Sequence, residues 1–166
     1  MERVIDEWKA LVGGLERLLP ARRRHPEGAR HKAPRILAMV PQGPDRLLLQ
    51  ALSQDAGWAL TLSEIAPPID SGHQADAPPI IIYDRGLSPL HWGETVRNLA
   101  RKSPRPYVIL LSPNADTNLW DELQRVGGSD ILRTPINRDK MLRAVKRAWL
   151  LWRNQQQVRM PLQHSV

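Results

Sequence analysis

The sequence predicts an α/β fold: a doubly wound, five-stranded parallel sheet of order 2-1-3-4-5, with an extra helix at the N-terminus. Three observations predict it. Short apolar runs recur that are nearly continuous rather than alternating, as in Ile80-Ile81-Ile82-Tyr83 and Tyr107-Val108-Ile109-Leu110-Leu111; strands buried on both faces read this way. Helical patterns separate the runs, which is the rhythm of a parallel sheet covered by helices. Three runs lead into polar side chains, Asp84, Ser112 and Thr134. Open parallel sheets gather such groups at the carboxyl ends of their strands, where their sites lie.

Taken in order, Met1 to Leu19 reads as an amphipathic helix. Val4, Ile5, Trp8, Leu11, Val12, Leu15, Leu18 and Leu19 form one apolar stripe, interrupted by Gly13-Gly14. Residues 20–34 are a polar, basic linker carrying Arg22-Arg23-Arg24, Arg30 and Lys32. The globular part spans 35–153. Arg35 to Val40 is its first strand. Pro44 to Ala56 is a helix, with proline suited to its first turn and Gly57 to its stop. Trp58 to Leu62 is the second strand, followed by a Pro/Ser/Gly/Asp loop from Ala66 to Pro79. Ile80 to Tyr83 is the third strand and His91 to Arg101 a helix. Tyr107 to Leu111 is the fourth strand, and Asn118 to Val126 a helix capped by Asp116 or Thr117 and closed by Gly127-Gly128. Ile131-Leu132 is a short fifth strand, and Asn137 to Trp152 the last helix. Residues 154–166 form a polar tail expected to fray. Five such strand units suit the flavodoxin-like order.

Length and composition bound the function. A chain of 166 residues is one domain able to bury a core. No apolar run approaches the ~20 residues that span a bilayer. The charged start, Met1-Glu2-Arg3-Val4-Ile5-Asp6-Glu7, has no secretory core. The absence of cysteine excludes disulfides, thiol catalysis and cysteine-ligated metals. A cytoplasmic, non-membrane protein is expected. The net charge of +7 favours acidic partners. Nucleic acid would grip the 20–34 linker through phosphates, but no helix-turn-helix, zinc-finger or RNA-binding aromatic motif accompanies it, so a solvated linker is the plainer reading.

The stretch from Arg35 to Trp152 resembles the receiver domain of bacterial response regulators, the CheY-like fold. Asp84 stands where that family's phosphoacceptor aspartate ends the third strand. Ser112 stands at its threonine or serine. Thr134-Pro135 stands where the family has lysine and proline, and the turn Val126-Gly127-Gly128-Ser129-Asp130 is similar to its glycine-containing entry to the last strand. The resemblance implies two-component or phosphorelay signalling through protein contacts. It implies a cis bond before Pro135. It also implies an outward face built from the fourth strand, the 118–126 helix, the fifth strand and the last helix, the face receivers use for dimers and outputs.

The departures point to a degenerate, pseudo-receiver type. Phosphorylation of a carboxylate rests on positioning and charge neutralisation by a divalent cation. The family places two acids after its first strand; this chain reads Val40-Pro41-Gln42-Gly43. Asp45 is the nearest acid, but it falls inside the first helix, which leaves Asp84 as the one certain carboxylate of the pocket. Thr134 brings no positive charge in place of the lysine. Asp84, Ser112, Thr134 and Pro135 are therefore expected to form a vestigial phosphoacceptor pocket, with no cofactor, no metal and no catalytic residue. The alternatives are a phosphorylatable receiver with Asp84 as acceptor, and a basic nucleic-acid-associated regulator. Asp84 has a purely structural option, capping the next turn or bonding Ser112 or Thr134.

His73 and His91 have no partner at metal-ligand spacing. A Ser112–His91–Asp84 hydrolase lacks the Gly-x-Ser-x-Gly elbow. On the last helix, Trp149 and Trp152 stand three apart and mark a candidate interaction surface. The occupant is either the N-terminal helix folding back, or a second copy or protein partner docking through either terminal helix.

Overall fold

The computed structural model describes residues 33–65 and 77–158. Expectations for the N-terminal helix, for the linker up to Lys32, for His73 and for the tail beyond Val158 lie outside these residues.

Five parallel strands form one sheet in the order β2-β1-β3-β4-β5. They are β1 Arg35–Met39, β2 Ala59–Ser63, β3 Ile80–Asp84, β4 Tyr107–Ser112 and β5 Asp130–Arg133. Among the described residues four α-helices accompany them: α1 Pro44–Ala56, α2 Trp92–Ala100, α3 Thr117–Arg125 and α4 Arg138–Val158. The expected fold class and strand order hold.

The apolar runs explain the layering. Side chains alternate across a strand, so a run of isoleucine and leucine serves both faces at once. One face sends Ile36, Ala38, Ile80, Ile82, Ile109 and Leu111 into a core closed by Leu49 and Leu52 of α1 and by Met141, Val145 and Ala148 of α4. The other sends Met39, Ile81, Tyr83, Val108 and Leu110 against Trp92, Val96 and Leu99 of α2 and Leu119 and Leu123 of α3. Two cores on one sheet are what "doubly wound" means physically.

Local signals set the helix ends. Pro44 occupies the first turn of α1, and Gly57 closes it in the left-handed region at φ 70°. Asp116 caps α3, accepting from the Leu119 N–H at 2.8 Å. At the far end of α3 the Gly127 N–H donates to the Gln124 carbonyl and the Gly128 N–H to the Leu123 carbonyl.

Helix α4 differs from expectation. It continues through Asn154–Gln157 to Val158, because glutamines are competent helix formers and three follow in a row. At 21 residues it is about 31 Å long, against about 17 Å for a five-residue strand. Among the described residues, no helix is long and apolar enough to cross a membrane.

Candidate functional site

The carboxyl edge of the sheet gathers the expected residues. Asp84 pairs in register with Leu111, so Ser112 stands one step beyond it on the neighbouring strand. Ser112 pairs with Arg133, and the Thr134 N–H donates to the Ser112 carbonyl at 3.1 Å. The Thr134–Pro135 bond is cis, as the resemblance implied. Asp84, Ser112, Thr134 and Pro135 thus occupy three adjacent strand ends.

Their side chains are engaged locally rather than with one another. Asp84 Oδ1 accepts from the Gly86 N–H at 2.7 Å, capping the 3-10 turn Arg85–Leu87. The turn-capping option is therefore the one the structure takes. The buried Ser112 hydroxyl donates to the Asn114 carbonyl at 2.8 Å and accepts from the Asn114 N–H at 3.3 Å. Among the described residues no hydrogen bond joins Ser112 to Asp84 or to the exposed His91, so no nucleophile–base pair is assembled.

Sequence reasoning set Asp45 aside; the structure brings it to this edge. It does lie in the first turn of α1, yet its Oδ1 accepts from the Ile136 N–H, 91 positions away, at 2.7 Å. Its charge is felt at Asp84. The Asp84 carboxyl titrates above the ordinary aspartate range, chiefly because burial penalises its charged form. The Gly86 N–H opposes this, and the negative charge of Asp45 adds to it. Asp84 is therefore not the lone carboxylate of the edge. Beside it, Arg46 donates to the Val40 carbonyl at 3.1 Å and reaches Glu64 at 3.5 Å. Among the described residues, no three His, Asp or Glu side chains converge as a metal-ligand cluster.

The tryptophans of α4 lie on its sheet-facing side. Trp149 is 9% exposed and belongs to the core. Trp152 packs against the same core and stacks on Trp149, ring centres 5.6 Å apart and planes 7° from parallel. Three-residue steps on a helix place both rings on the side facing the sheet, so they serve the interior before any outer surface. The outward apolar residues of α4 are Leu151 and Val158.

The comparisons agree with this architecture. No protein-family model matches the sequence, and no curated protein matches it. Solved structures do. The chemotaxis response regulator CheY4 of Vibrio cholerae is 19% identical, covering 70% of this chain and 99% of its own, with a TM-score of 0.61. The signal receiver domain of a Luxo repressor protein from Vibrio parahaemolyticus is 19% identical over 78% of this chain and 99% of its own, TM-score 0.64. The receiver domain of a sensor histidine kinase from Pseudomonas aeruginosa, with magnesium coordinated in its active-site cleft, is 19% identical over 70% of this chain and 97% of its own, TM-score 0.58. The neighbours are receiver domains of two-component signalling, and the fold is theirs.

Proposed function

We propose that this chain is a non-enzymatic, cytoplasmic receiver-like domain of bacterial signal transduction that acts through protein–protein contact and is not switched by phosphorylation of Asp84. One observation carries the reading: at the carboxyl edge Asp84 and Asp45 are each held by a backbone N–H, Asp84 by Gly86 and Asp45 by Ile136, each at 2.7 Å. Magnesium is bound through carboxylates and waters in near-octahedral geometry. The end of β1 offers Val40, Pro41 and Gln42 instead of acids, and Thr134 supplies no cation for a phosphoryl group. These residues do not suit a magnesium ion.

The contact face is that of β5, the edge strand of the sheet, with α3 and α4 flanking it. Exposed Asp121, Glu122 and Arg125 lie on α3; exposed Asp139, Lys140, Arg143 and Arg147 lie on α4, so α3 is acidic and α4 basic on balance. Opposite charges side by side suit a two-fold contact with a second copy, or a partner of the same patterning.

The test is intact-mass measurement of the full chain with magnesium and either acetyl phosphate or beryllofluoride. An unchanged mass and spectrum are expected. A stoichiometric adduct that disappears in Asp84→Asn overturns the reading in favour of a phosphorylatable receiver. Light scattering across a salt series then tests the charged face: a dimer that weakens with salt fits the two-fold contact, and a salt-insensitive monomer points to a separate protein partner.

A further inference from the structure

The amino edge of the sheet, opposite Asp84, carries a cavity of about 210 Å³ lined by Arg105, Pro106, Tyr107, Ser129, Trp152 and Gln155. We propose that this cavity binds a small organic oxyanion, a carboxylate or a phosphate ester. The proposal is independent of whether Asp84 is phosphorylated.

Arg105 can only donate, and its Nη2 is anchored on the Gly127 carbonyl at 2.9 Å, which fixes the guanidinium at the rim. The Trp152 indole N–H has no protein acceptor but is itself buried, so it stands beside the cavity as a reporter and is not one of the contacting donors. The Tyr107 hydroxyl lies close enough to Asp130 and Arg147 for their charges to act on it in opposite directions. A phenol O–H is itself a donor. Burial raises the Tyr107 titration above the usual tyrosine value, so the phenol remains a neutral donor. Ser129 Oγ accepts from the Val108 N–H at 3.2 Å, which again leaves a proton to give. Gln155 can act either way. No carboxylate is among the six lining residues, and the nearby Asp130 is committed to Arg147 and to the Ile131 N–H. A site made of donors, one of them cationic, selects an acceptor-rich anion.

Size and rigidity narrow the ligand. The volume lies below the roughly 300–1,000 Å³ of sites for drug-sized molecules, so the ligand is a single anionic group on a short body. Trp152 is fixed by its stack on Trp149, and with Pro106 it gives that body an apolar wall. The other buried indole N–H without a protein acceptor, that of Trp58, belongs to the packed core and lines no part of this cavity.

The experiment follows the indole N–H signals of the six tryptophans in the ¹⁵N-labelled full chain. Inorganic phosphate and acetate are titrated separately, with sodium chloride at matched ionic strength as the control. The Trp152 signal should move saturably with phosphate or acetate and not with chloride, and whichever ion is effective identifies the oxyanion. Arg105→Gln, at an exposed position, should weaken the response at least about tenfold, the loss of one charge-assisted hydrogen bond. A Trp152 signal that ignores both anions, follows chloride equally, or responds unchanged in Arg105→Gln overturns the proposal.

Discussion

The Asp45 carboxylate accepts the backbone N–H of Ile136 at 2.7 Å, tying the first turn of α1 to the segment between β5 and α4. Ile136 is 7% exposed, so this donor has little access to water. The bond stitches the carboxyl edge together between α1 and the entry to α4.

Asp45→Ala should therefore lower stability by about 1–2 kcal/mol, the cost of stranding a buried donor. It should also let the Asp84 carboxyl titrate at lower pH, because the neighbouring negative charge is removed. Denaturant midpoints measure the first effect and carboxyl NMR shifts the second. An unchanged Asp84 titration would show that the two groups are not coupled.

Asp84 itself should make stability depend on pH with a definite sign. Its folded carboxyl keeps its proton to higher pH than the unfolded chain does. Between the two titrations the folded state binds more protons, so stability falls as pH rises through that window. Asp84→Asn keeps an oxygen for the Gly86 N–H and loses the charge. Its melting temperature should exceed that of the natural chain at neutral pH, with the gap closing in acid. A gap independent of pH argues against the burial penalty.

Arg147 pairs with Asp130, whose side chain is 12% exposed while that of Arg147 is 60% exposed. Burial is thus one-sided, and solvent screens the arginine. Arg147→Ala should cost about 1–2 kcal/mol, between an exposed pair and a buried one. Part of this cost should vanish when Asp130→Asn is combined with it, which a double-mutant cycle reads directly.

At Gly128 a methyl group would lie 2.1 Å from Leu123 Cδ1, and Leu123 is fully buried. Gly128→Ala should destabilise by about 1–3 kcal/mol through overpacking. Thermal melts would show it, and in a Leu123→Ala background the added cost of Gly128→Ala should shrink. Gly127 fails for another reason: its φ is +93°, a region that side-chain-bearing residues avoid.

The fold was legible because a strand buried on both faces cannot hide its composition: Ile80–Tyr83 and Val108–Leu111 declare themselves without knowledge of their partners. Asp84, Ser112 and Thr134 were legible for the related reason that polar residues ending such runs must fall on one edge. Asp45 was not. Its place inside a helix is visible in sequence, but nothing local says that its carboxylate crosses to Ile136. The amino-edge cavity draws on residues 105–107, 129 and 152–155, and no single window contains enough of it to signal. The Trp149–Trp152 spacing was read correctly as one side of a helix, but period alone does not say which side faces the sheet.

The length of α4 has a mechanical consequence. It begins beside Asp45 and Ile136 and ends past Tyr107 and Ser129, so one rigid rod links the two rims of the domain. A rigid-body shift of α4 would move both rims together while the strand order stayed as it is. Anything joined to that rod takes its orientation from the rim farthest from Asp84.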